Sequence, residues 1–233
     1  MNSKYPHALF SIATNGYEKK FERCIRSHIE YANKLQIPYY CIKGKPPWGI
    51  SAHDSAWLKV FALDFLLRKH KSGVFYLDAD AEVTKDAPDF RKWDNDCPDK
   101  SFFIPLSGTN RVQSCVMYCR STTQCRKLIA RICFSSLIPS RFIPREDRNL
   151  YENGHIIWLS KNSPCLHILP QKWNSGLGYA GIKTDSPYII HYGGDEMREV
   201  NNANPFSLIQ RINASWTGLR IPIHMLWFRK ALC

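Results

Sequence analysis

Strand-like and helix-like segments alternate through the first 80 residues of this chain. Apolar runs at 8–13, 37–43 and 74–77 have the length of buried strands. Helix-like stretches lie between them: 17–35 shows helical periodicity, and 53–70 begins at a capping box and is apolar on almost every face. The order strand, helix, strand, helix, strand is typical of a parallel sheet covered by helices, because parallel neighbours need a crossover connection. We therefore predict an α/β fold with a mostly parallel central sheet flanked by helices.

Polar residues follow two of these strands. Thr14 and Asn15 come after the first strand, and Asp78 and Asp80 come after the third. In open α/β sheets, ligands bind beyond the carboxyl ends of the strands. The sequence therefore predicts that these residues line one crevice.

Asp78 and Asp80 are spaced i, i+2 at a strand end, so their side chains point to the same side. Two adjacent carboxylates are costly to desolvate unless a cation neutralises them. A hard divalent cation that also binds phosphate oxygens is a common solution. We interpret the pair as a metal-diphosphate site; the alternative is a turn in which both aspartates only cap the backbone.

The pattern changes after residue 100. Strand-like runs at 102–105 and 113–119 precede a predicted helix at 122–134. The later apolar runs indicate a region of short strands and loops: 156–159, 165–169 and 188–191.

Composition limits the class of protein. The N-terminus has no apolar segment of a signal peptide, and no run approaches the roughly 18 apolar residues of a membrane span. The nine cysteines include no CxxC pair, which argues against a zinc site or a disulfide framework. We therefore expect a cytoplasmic protein without a signal peptide or transmembrane anchor.

The formal net charge of +12 predicts an anionic partner. There is no Lys/Arg tract and no recognisable nucleic-acid-binding motif, so we expect no nucleic acid partner, although a basic nucleic-acid-binding protein is the alternative of another class. The segment 201–233 has four basic and no acidic residues, with Trp216, Trp227 and Phe228 among them. It could contact a membrane surface or a protein, or form an ordinary solvated surface.

Five motifs occur in a particular order: 10–17, 55–59, 77–80, 152–153 and 189–194. Together they resemble metal-dependent nucleotide-sugar glycosyltransferases of the GT-A type, in particular the small retaining branch with glycogenin-like enzymes and yeast galactosyl- and mannosyltransferases. Compact enzymes encoded by large algal viruses are one such group. The resemblance implies a Rossmann-like, nucleotide-binding GT-A domain with a smaller acceptor-side region.

The resemblance also implies how a donor, expected to be a UDP-sugar, is bound. Ala13, Thr14 and Asn15 belong to the nucleotide loop, Tyr17 would stack on uracil, and Lys59 would reach the donor. The alternative for Tyr17 is the start of a helix core, and the alternative for Lys59 is a side chain that extends to solvent. The expected acceptor is a hydroxyl of a glycan or glycoprotein.

Leu77, Asp78, Ala79 and Asp80 match the DxD motif of these enzymes, and His191 resembles their third metal ligand. The implied cofactor is Mn²⁺ or Mg²⁺, which would stabilise charge on the leaving diphosphate. A lone histidine on an apolar strand is otherwise a core residue.

Two further residues are assigned to the donor by resemblance. Gly194 belongs to the glycine pair that follows His191, and Arg198 would contact the phosphates. The chain departs from the family here, because the family keeps a lysine six residues after the metal histidine and this chain has Met197.

Glu152 and Asn153 occupy the place of an acidic residue and an amide near the anomeric carbon. In a retaining enzyme they would stabilise or accept the sugar cation. In an inverting enzyme a carboxylate would deprotonate the acceptor, and Asp195 is then a competing candidate. We expect retention; the alternative is that Glu152 only caps the backbone or pairs with a neighbour such as Arg148.

The loop 173–178, with Trp173 and two glycines, predicts either a wall against a sugar ring or a turn beside a core tryptophan. We expect a single domain over 1–233. Its parts would be a nucleotide-binding half at about 1–100, an acceptor-side half at about 101–200 and a C-terminal segment at 201–233.

The alternative enzyme is a phosphatase or phosphotransferase of the haloacid dehalogenase type, which also places Asp-x-Asp after an apolar strand. That family has Thr or Val where this chain has Glu82, and its nucleophile strand usually opens the domain. Here two β-α units precede the strand. The sequence therefore favours the glycosyltransferase interpretation.

Overall fold

A computed structural model describes residues 5–149, 151–176, 182–193 and 217–228 of the chain. The elements of the first half are β1 His7–Thr14, α1 Tyr17–Lys20, α2 Glu22–Lys34, β2 Tyr39–Gly44, α3 Ala52–Lys69, β3 Gly73–Leu77 and β4 Ala81–Val83. Those that follow are α4 Trp93–Asp96, β5 Phe102–Pro105, β6 Val116–Arg120, α5 Thr123–Ser135, α6 Asn153–Ser160, β7 Leu166–Leu169, β8 Ser175–Gly176, β9 Ile189–His191 and α7 Thr217–Phe228. Short 3₁₀ turns lie at Phe90–Lys92, Ser140–Phe142 and Gln171–Asn174.

The central sheet has six strands in the order β2-β1-β3-β6-β5-β7. Strand β1 is parallel to β2 and β3, and β7 is parallel to β5, whereas β6 is antiparallel to both of its neighbours. The predicted α/β fold with a mostly parallel sheet is confirmed. The strands β4, β9 and β8 form a separate small sheet.

Two predicted elements differ from the structure. The helix predicted at 17–35 is interrupted at Phe21, which ends α1 and precedes α2. The prediction of strand or loop at 156–159 was wrong, because this run lies inside α6. That helix is apolar around most of its circumference and buried along most of its length, so its sequence shows no helical period.

Apolar residues pack on both faces of the central sheet. One core contains side chains of α3, α5, α6 and α7, and the other contains side chains of α2, β4 and α4. Helix α3 is buried along most of its length, as its apolar sequence predicts, and Trp57 belongs to this core. Among the described residues, no helix is long and apolar enough to cross a membrane, and the eight described cysteines are all free thiols.

Helix α7 is held against α3 by a buried ion pair. Ser51 caps α3 by accepting a hydrogen bond from the amide of Asp54, at the spacing of a capping box. The buried Asp54 carboxylate accepts two hydrogen bonds from Arg220, at 2.9 and 3.0 Å, and lies 3.5 Å from the ring of His224. Burial alone would raise the pKa of Asp54, but the nearby His224 ring and the hydrogen bonds from Arg220 hold it below its ordinary value.

We expect Asp54→Asn to lower the free energy of unfolding at neutral pH by roughly 1 to 3 kcal/mol, because the change removes the buried carboxylate charge that binds Arg220. Urea denaturation measures this difference. The matched control is Asp64→Asn on the same helix, whose partner Arg68 is exposed. Its expected effect is below about 0.5 kcal/mol.

The effect of Asp54→Asn should also depend on pH. The folded-state pKa of Asp54 is depressed, so its carboxylate stabilises the fold fully above the pKa of an unfolded aspartate, about 4, and this stabilisation is lost as the pH falls towards the folded pKa. The difference between wild type and variant should therefore shrink below about pH 4. A difference that stays constant down to about pH 2 would show that the charge is not responsible.

Candidate functional site

Strand pairing in the small sheet brings distant residues together at the tip of β3. Strand β4 follows the DxD motif directly, and it pairs with β9 so that Ala81 lies opposite His191. The amide of Tyr192 also donates to the carbonyl of Asp80 at 3.0 Å. As a result, one ligand atom each from Asp78, Asp80 and His191 lies within 4.8 Å of the others.

These three residues fit a divalent cation. Asp80 and His191 are buried, and their Oδ1 and Nε2 atoms lie 3.4 Å apart. Nδ1 of His191 is also buried and has no hydrogen-bond partner among the described residues. Two carboxylates with one imidazole form a donor set that suits Mn²⁺ or Mg²⁺. The alternative, a capped turn, does not account for the imidazole beside both carboxylates.

The pKa values of Asp80 and His191 are shifted in opposite directions by their interaction with each other and with their surroundings. Burial alone would raise the pKa of Asp80, but the neighbouring imidazole lowers it. Burial alone would lower the pKa of His191, but Cys115 and Asp80 keep it well above its ordinary value. Asp80 and His191 therefore each favour the charged form of the other.

Lys59 lies between two acidic residues of the site. Its ammonium group is 2.9 Å from Asp78 and 3.1 Å from Glu152, and only 6% of the residue is exposed. The alternative that Lys59 extends to solvent is therefore wrong. Burial alone would lower the pKa of Lys59, but Asp78 and Glu152 raise it above its ordinary value, so the amine is charged.

Glu152 precedes α6 and is held by Ser114 and Lys59. The hydroxyl of Ser114 donates to its Oε1 at 2.6 Å. The alternative that Glu152 pairs with Arg148 is wrong, because the Arg148 guanidinium donates to the backbone carbonyls of Ile143 and Arg141. Glu152 therefore belongs to the same ionic network as Asp78.

The amide of Asn153 is used within the protein. Its Oδ1 accepts from the backbone of Ser114 at 3.0 Å, and its Nδ2 donates to the carbonyl of Val112 at 3.2 Å. These two bonds attach the start of α6 to the segment before β6. Asn153 therefore lies next to Glu152 at the site, and both groups of its amide are bonded to the backbone.

The predicted nucleotide loop lies beside the start of α3. Ala13 is buried in β1, and Thr14 shares a hydrogen bond of 2.7 Å with Ser55. Asn15 has a positive φ of 59° and donates to the carbonyl of Ile50 at 3.0 Å. Tyr17 is half-buried and its ring lies 5.5 Å from that of Phe21, so it packs at the start of the helices; stacking on a base stays a prediction.

Trp173 does not form a wall against a sugar. It is fully buried, and its ring packs against Phe75, Trp93 and Tyr188 at centroid distances of 4.6 to 6.0 Å. The sugar wall was wrong for Trp173, and the alternative of a core tryptophan is confirmed. The remainder of that loop, at 177–178, lies outside the described residues, as do Gly194, Asp195, Met197 and Arg198.

His28 contacts the backbone just after the DxD motif, a contact that sequence reasoning missed. It is fully buried in α2, and its Nε2 donates to the carbonyl of Ala81 at 2.5 Å. Its Nδ1 lies 2.9 Å from the hydroxyl of Ser11. Burial lowers the pKa of His28 to about 4, so the ring is neutral. The sequence did contain one signal for a buried His28: the residue lies on the apolar face of α2, between Cys24 and Ala32.

Solved structures of glycosyltransferases share this fold, which confirms the predicted class of fold. No protein-family model matches the chain, and no curated protein matches it. Because the sequence identities to these structures are only 12 to 13%, the structural likeness establishes the fold alone.

One such structure is a glycosyltransferase involved in the glycosylation of the major capsid of PBCV-1, with a TM-score of 0.60 and 12% identity over 83% of this chain and 98% of that one. Mouse xyloside xylosyltransferase 1 has a TM-score of 0.53 and 12% identity over 82% and 98%. The galactosyltransferase LgtC, solved with donor and acceptor sugar analogues, has a TM-score of 0.53 and 13% identity over 93% and 94%.

We expect His28→Leu to weaken Mn²⁺ binding about tenfold, because the carbonyl beside the DxD motif loses the donor that holds it. Titration of the free protein with Mn²⁺, followed by electron paramagnetic resonance, measures this affinity. The matched control is His70→Leu, since His70 bonds a backbone carbonyl and a tyrosine hydroxyl near the opposite ends of the strands. An equal loss of affinity in both variants would show that only general stability is affected.

Proposed function

We propose that this chain is a metal-dependent glycosyltransferase that transfers a hexose-type sugar from a nucleotide-diphosphate donor to a hydroxyl group. One observation carries the proposal. The pairing of β4 with β9 assembles Asp78, Asp80 and His191 at the carboxyl edge of a sheet whose fold is shared with glycosyltransferases. The expected donor is a UDP-sugar and the expected metal is Mn²⁺ or Mg²⁺, both on the resemblance of the sequence motifs.

Asp78, Asp80 and His191 would hold the cation. A cation bound there would act as a Lewis acid that stabilises negative charge on the leaving diphosphate. The buried and charged Lys59 adds positive charge beside the same carboxylates. Because this site supplies charge stabilisation, the reaction needs no strong acid to protonate the leaving group.

The loop of Ala13, Thr14, Asn15 and Tyr17 would bind the nucleoside. The hydrogen bond from Asn15 to Ile50 supports this role, because it attaches the loop to the segment that leads into α3. We place Gly194 and Arg198 near the phosphates on the sequence resemblance alone. In the same way, we assign residues of about 1–100 to the nucleotide-binding half and those of about 101–200 to the acceptor side.

Glu152 is the residue that we assign to the reacting sugar. The ammonium group of Lys59 contacts both Asp78 and Glu152. The side chain of Lys59 therefore separates the carboxylate of Glu152 from that of Asp78, which we assign to the metal. A donor whose diphosphate lies at Asp78 would therefore have its sugar near Glu152, with Asn153 orienting the start of α6. We propose retention, in which Glu152 stabilises the positive charge that develops on the sugar ring.

The acceptor in this proposal is a glycan or glycoprotein, and the compartment is the cytoplasm. The neighbouring enzyme of PBCV-1 is one involved in glycosylation of a capsid protein, which supports a protein-linked acceptor for this chain. Nucleic acid is not a partner in the proposal. The positive net charge of +12 instead suits a donor that carries two phosphates.

The phosphatase alternative is less well supported. Glu82 accepts hydrogen bonds from Arg23 at 2.9 Å and from Tyr192 at 2.5 Å, so it connects β4 to α2 and to the residue after β9. This is a structural role that a phosphatase motif does not need at that position. The acidic motif that would complete a phosphatase site, 194–199, lies outside the described residues.

We expect a UDP-sugar to raise the melting temperature only when Mn²⁺ or Mg²⁺ is present. A ligand at about 100 times its dissociation constant stabilises the folded state by about 2.7 kcal/mol, which is a shift of several degrees for a domain of this size. Thermal denaturation with a panel of nucleotide-sugars, with and without EDTA, measures the shift. Asp80→Asn should abolish the metal-dependent part, and the exposed Asp86→Asn is the control. Release of phosphate from a sugar phosphate, without any nucleotide-dependent shift, would favour the phosphatase.

We expect Glu152→Gln to lower kcat by roughly 100-fold or more and to change KM little, because the lost charge acts mainly in the transition state. Steady-state transfer from the donor identified by thermal denaturation measures both constants. The control is Glu146→Gln, an exposed residue in the same loop. NMR of the product should show the anomeric configuration of the donor; an inverted product would overturn retention.

A further inference from the structure

The outward face of α7 is apolar, although its inward face already forms part of the core. Ile221, His224 and Phe228 point inward and are buried. A soluble helix normally exposes polar residues on its outer side, whereas a helix that is apolar on all sides is covered on all sides. The exposed residues of the outward face are Leu219, Ile223, Leu226 and Trp227.

This outward face continues onto neighbouring segments. The exposed ring of Trp48 packs edge-on against Trp227 at 5.7 Å, and its indole N–H donates to His224 at 3.2 Å. Helix α7 also contacts α5. Further large apolar residues are exposed at the end of α5 and just after it: Phe134, Leu137, Ile138 and Phe142. An apolar surface of this extent marks an interaction site.

The two segments of the chain that contain α5 and α7 have no acidic residue. Neither 120–145 nor 200–233 includes an aspartate or glutamate, although the whole chain has 20 of them. Lysine and arginine side chains are exposed along the first segment, among them Lys127, Arg131, Arg141 and Arg145. The exposed apolar side chains at and after the end of α5 therefore lie in a basic stretch of the chain, and the partner that fits them is negatively charged and has an apolar interior.

We propose that the outward face of α7, together with the apolar residues at and after the end of α5, docks on the surface of an anionic lipid bilayer. Apolar side chains with an interfacial tryptophan enter the boundary of the acyl chains, and the basic residues contact anionic headgroups. Helix α7 has 12 residues and is about 18 Å long, so it would lie in the interface and not span the bilayer. This inference is independent of the proposed function.

Charge and apolar burial distinguish an anionic bilayer from two alternative partners of this surface, a second copy of the chain and a nucleic acid. A second copy of the chain, which also carries +12, would bring like charges together at the interface. A nucleic acid would neutralise the positive charge but would leave the apolar side chains of α7 exposed to water. An anionic bilayer neutralises the charge and also buries the apolar side chains.

Sedimentation of the full chain with lipid vesicles tests the proposal. Vesicles of phosphatidylcholine alone are compared with vesicles that contain about 30 mol% phosphatidylserine, at about 0.15 M salt. We expect at least about tenfold stronger partition into the anionic vesicles, and weaker partition at high salt. Ile223→Glu/Leu226→Glu should lower this partition at least about tenfold, because it places charge on the inserted face.

The matched control is Ile29→Glu, an exposed isoleucine of α2 on the opposite side of the sheet, and it should bind like wild type. If the double variant fails to fold by circular dichroism, Lys127→Glu/Arg131→Glu on α5 provides a second test, with weaker anionic binding expected. The proposal is wrong if wild type does not bind anionic vesicles, or if the folded double variant binds as well as wild type. A wild-type dimer that the double variant converts to a monomer, without vesicle binding, would identify the face as an interface between copies.

Discussion

The ammonium group of Lys59 is the charge on which the candidate site depends. It is buried between Asp78 and Glu152, two carboxylates from opposite halves of the chain. Either carboxylate alone in this environment would be expensive to desolvate, and so would the ammonium group without them. The three charges therefore stabilise one another, and the position of α3 is coupled to that of β3 and of α6. A bound cation would add a second positive charge to a site that is already partly neutralised.

The local order of the sequence predicted the first half of the fold well. Residues 8–13 and 74–77 are apolar runs bounded by turn residues. Of the helical stretches between them, α2 shows a helical period, and α3 is recognised by its N-terminal cap and its length. Asp78, Asp80 and Lys59 could be selected because charged residues beside or inside apolar segments need a partner. The pairing of Lys59 with Glu152 could not be predicted, because the two residues are 93 positions apart and no local pattern relates them.

The second half was harder to predict for the same physical reason. The apolar run 156–159 has the length of a strand, and only burial on several sides of α6 explains its composition. Ser114 and His28 act through the backbone and through other side chains, and a single serine or histidine has no distinguishing pattern in sequence. Trp173 was equally ambiguous, since a core tryptophan and a sugar-binding tryptophan look alike until burial is known.

Helix α3 connects the candidate site to the proposed docking surface. Within its first eight residues, Asp54 binds Arg220 of α7, Ser55 shares a hydrogen bond with Thr14, and Lys59 contacts Asp78. These contacts are a few residues apart on one helix, so a change in the position of α7 would be transmitted to Thr14 and to Asp78 through a rigid element. Docking of α7 on a bilayer would therefore fix the orientation of the site relative to that surface. An acceptor attached to the same surface would then meet the site in a restricted geometry, which raises its effective concentration without any further contact.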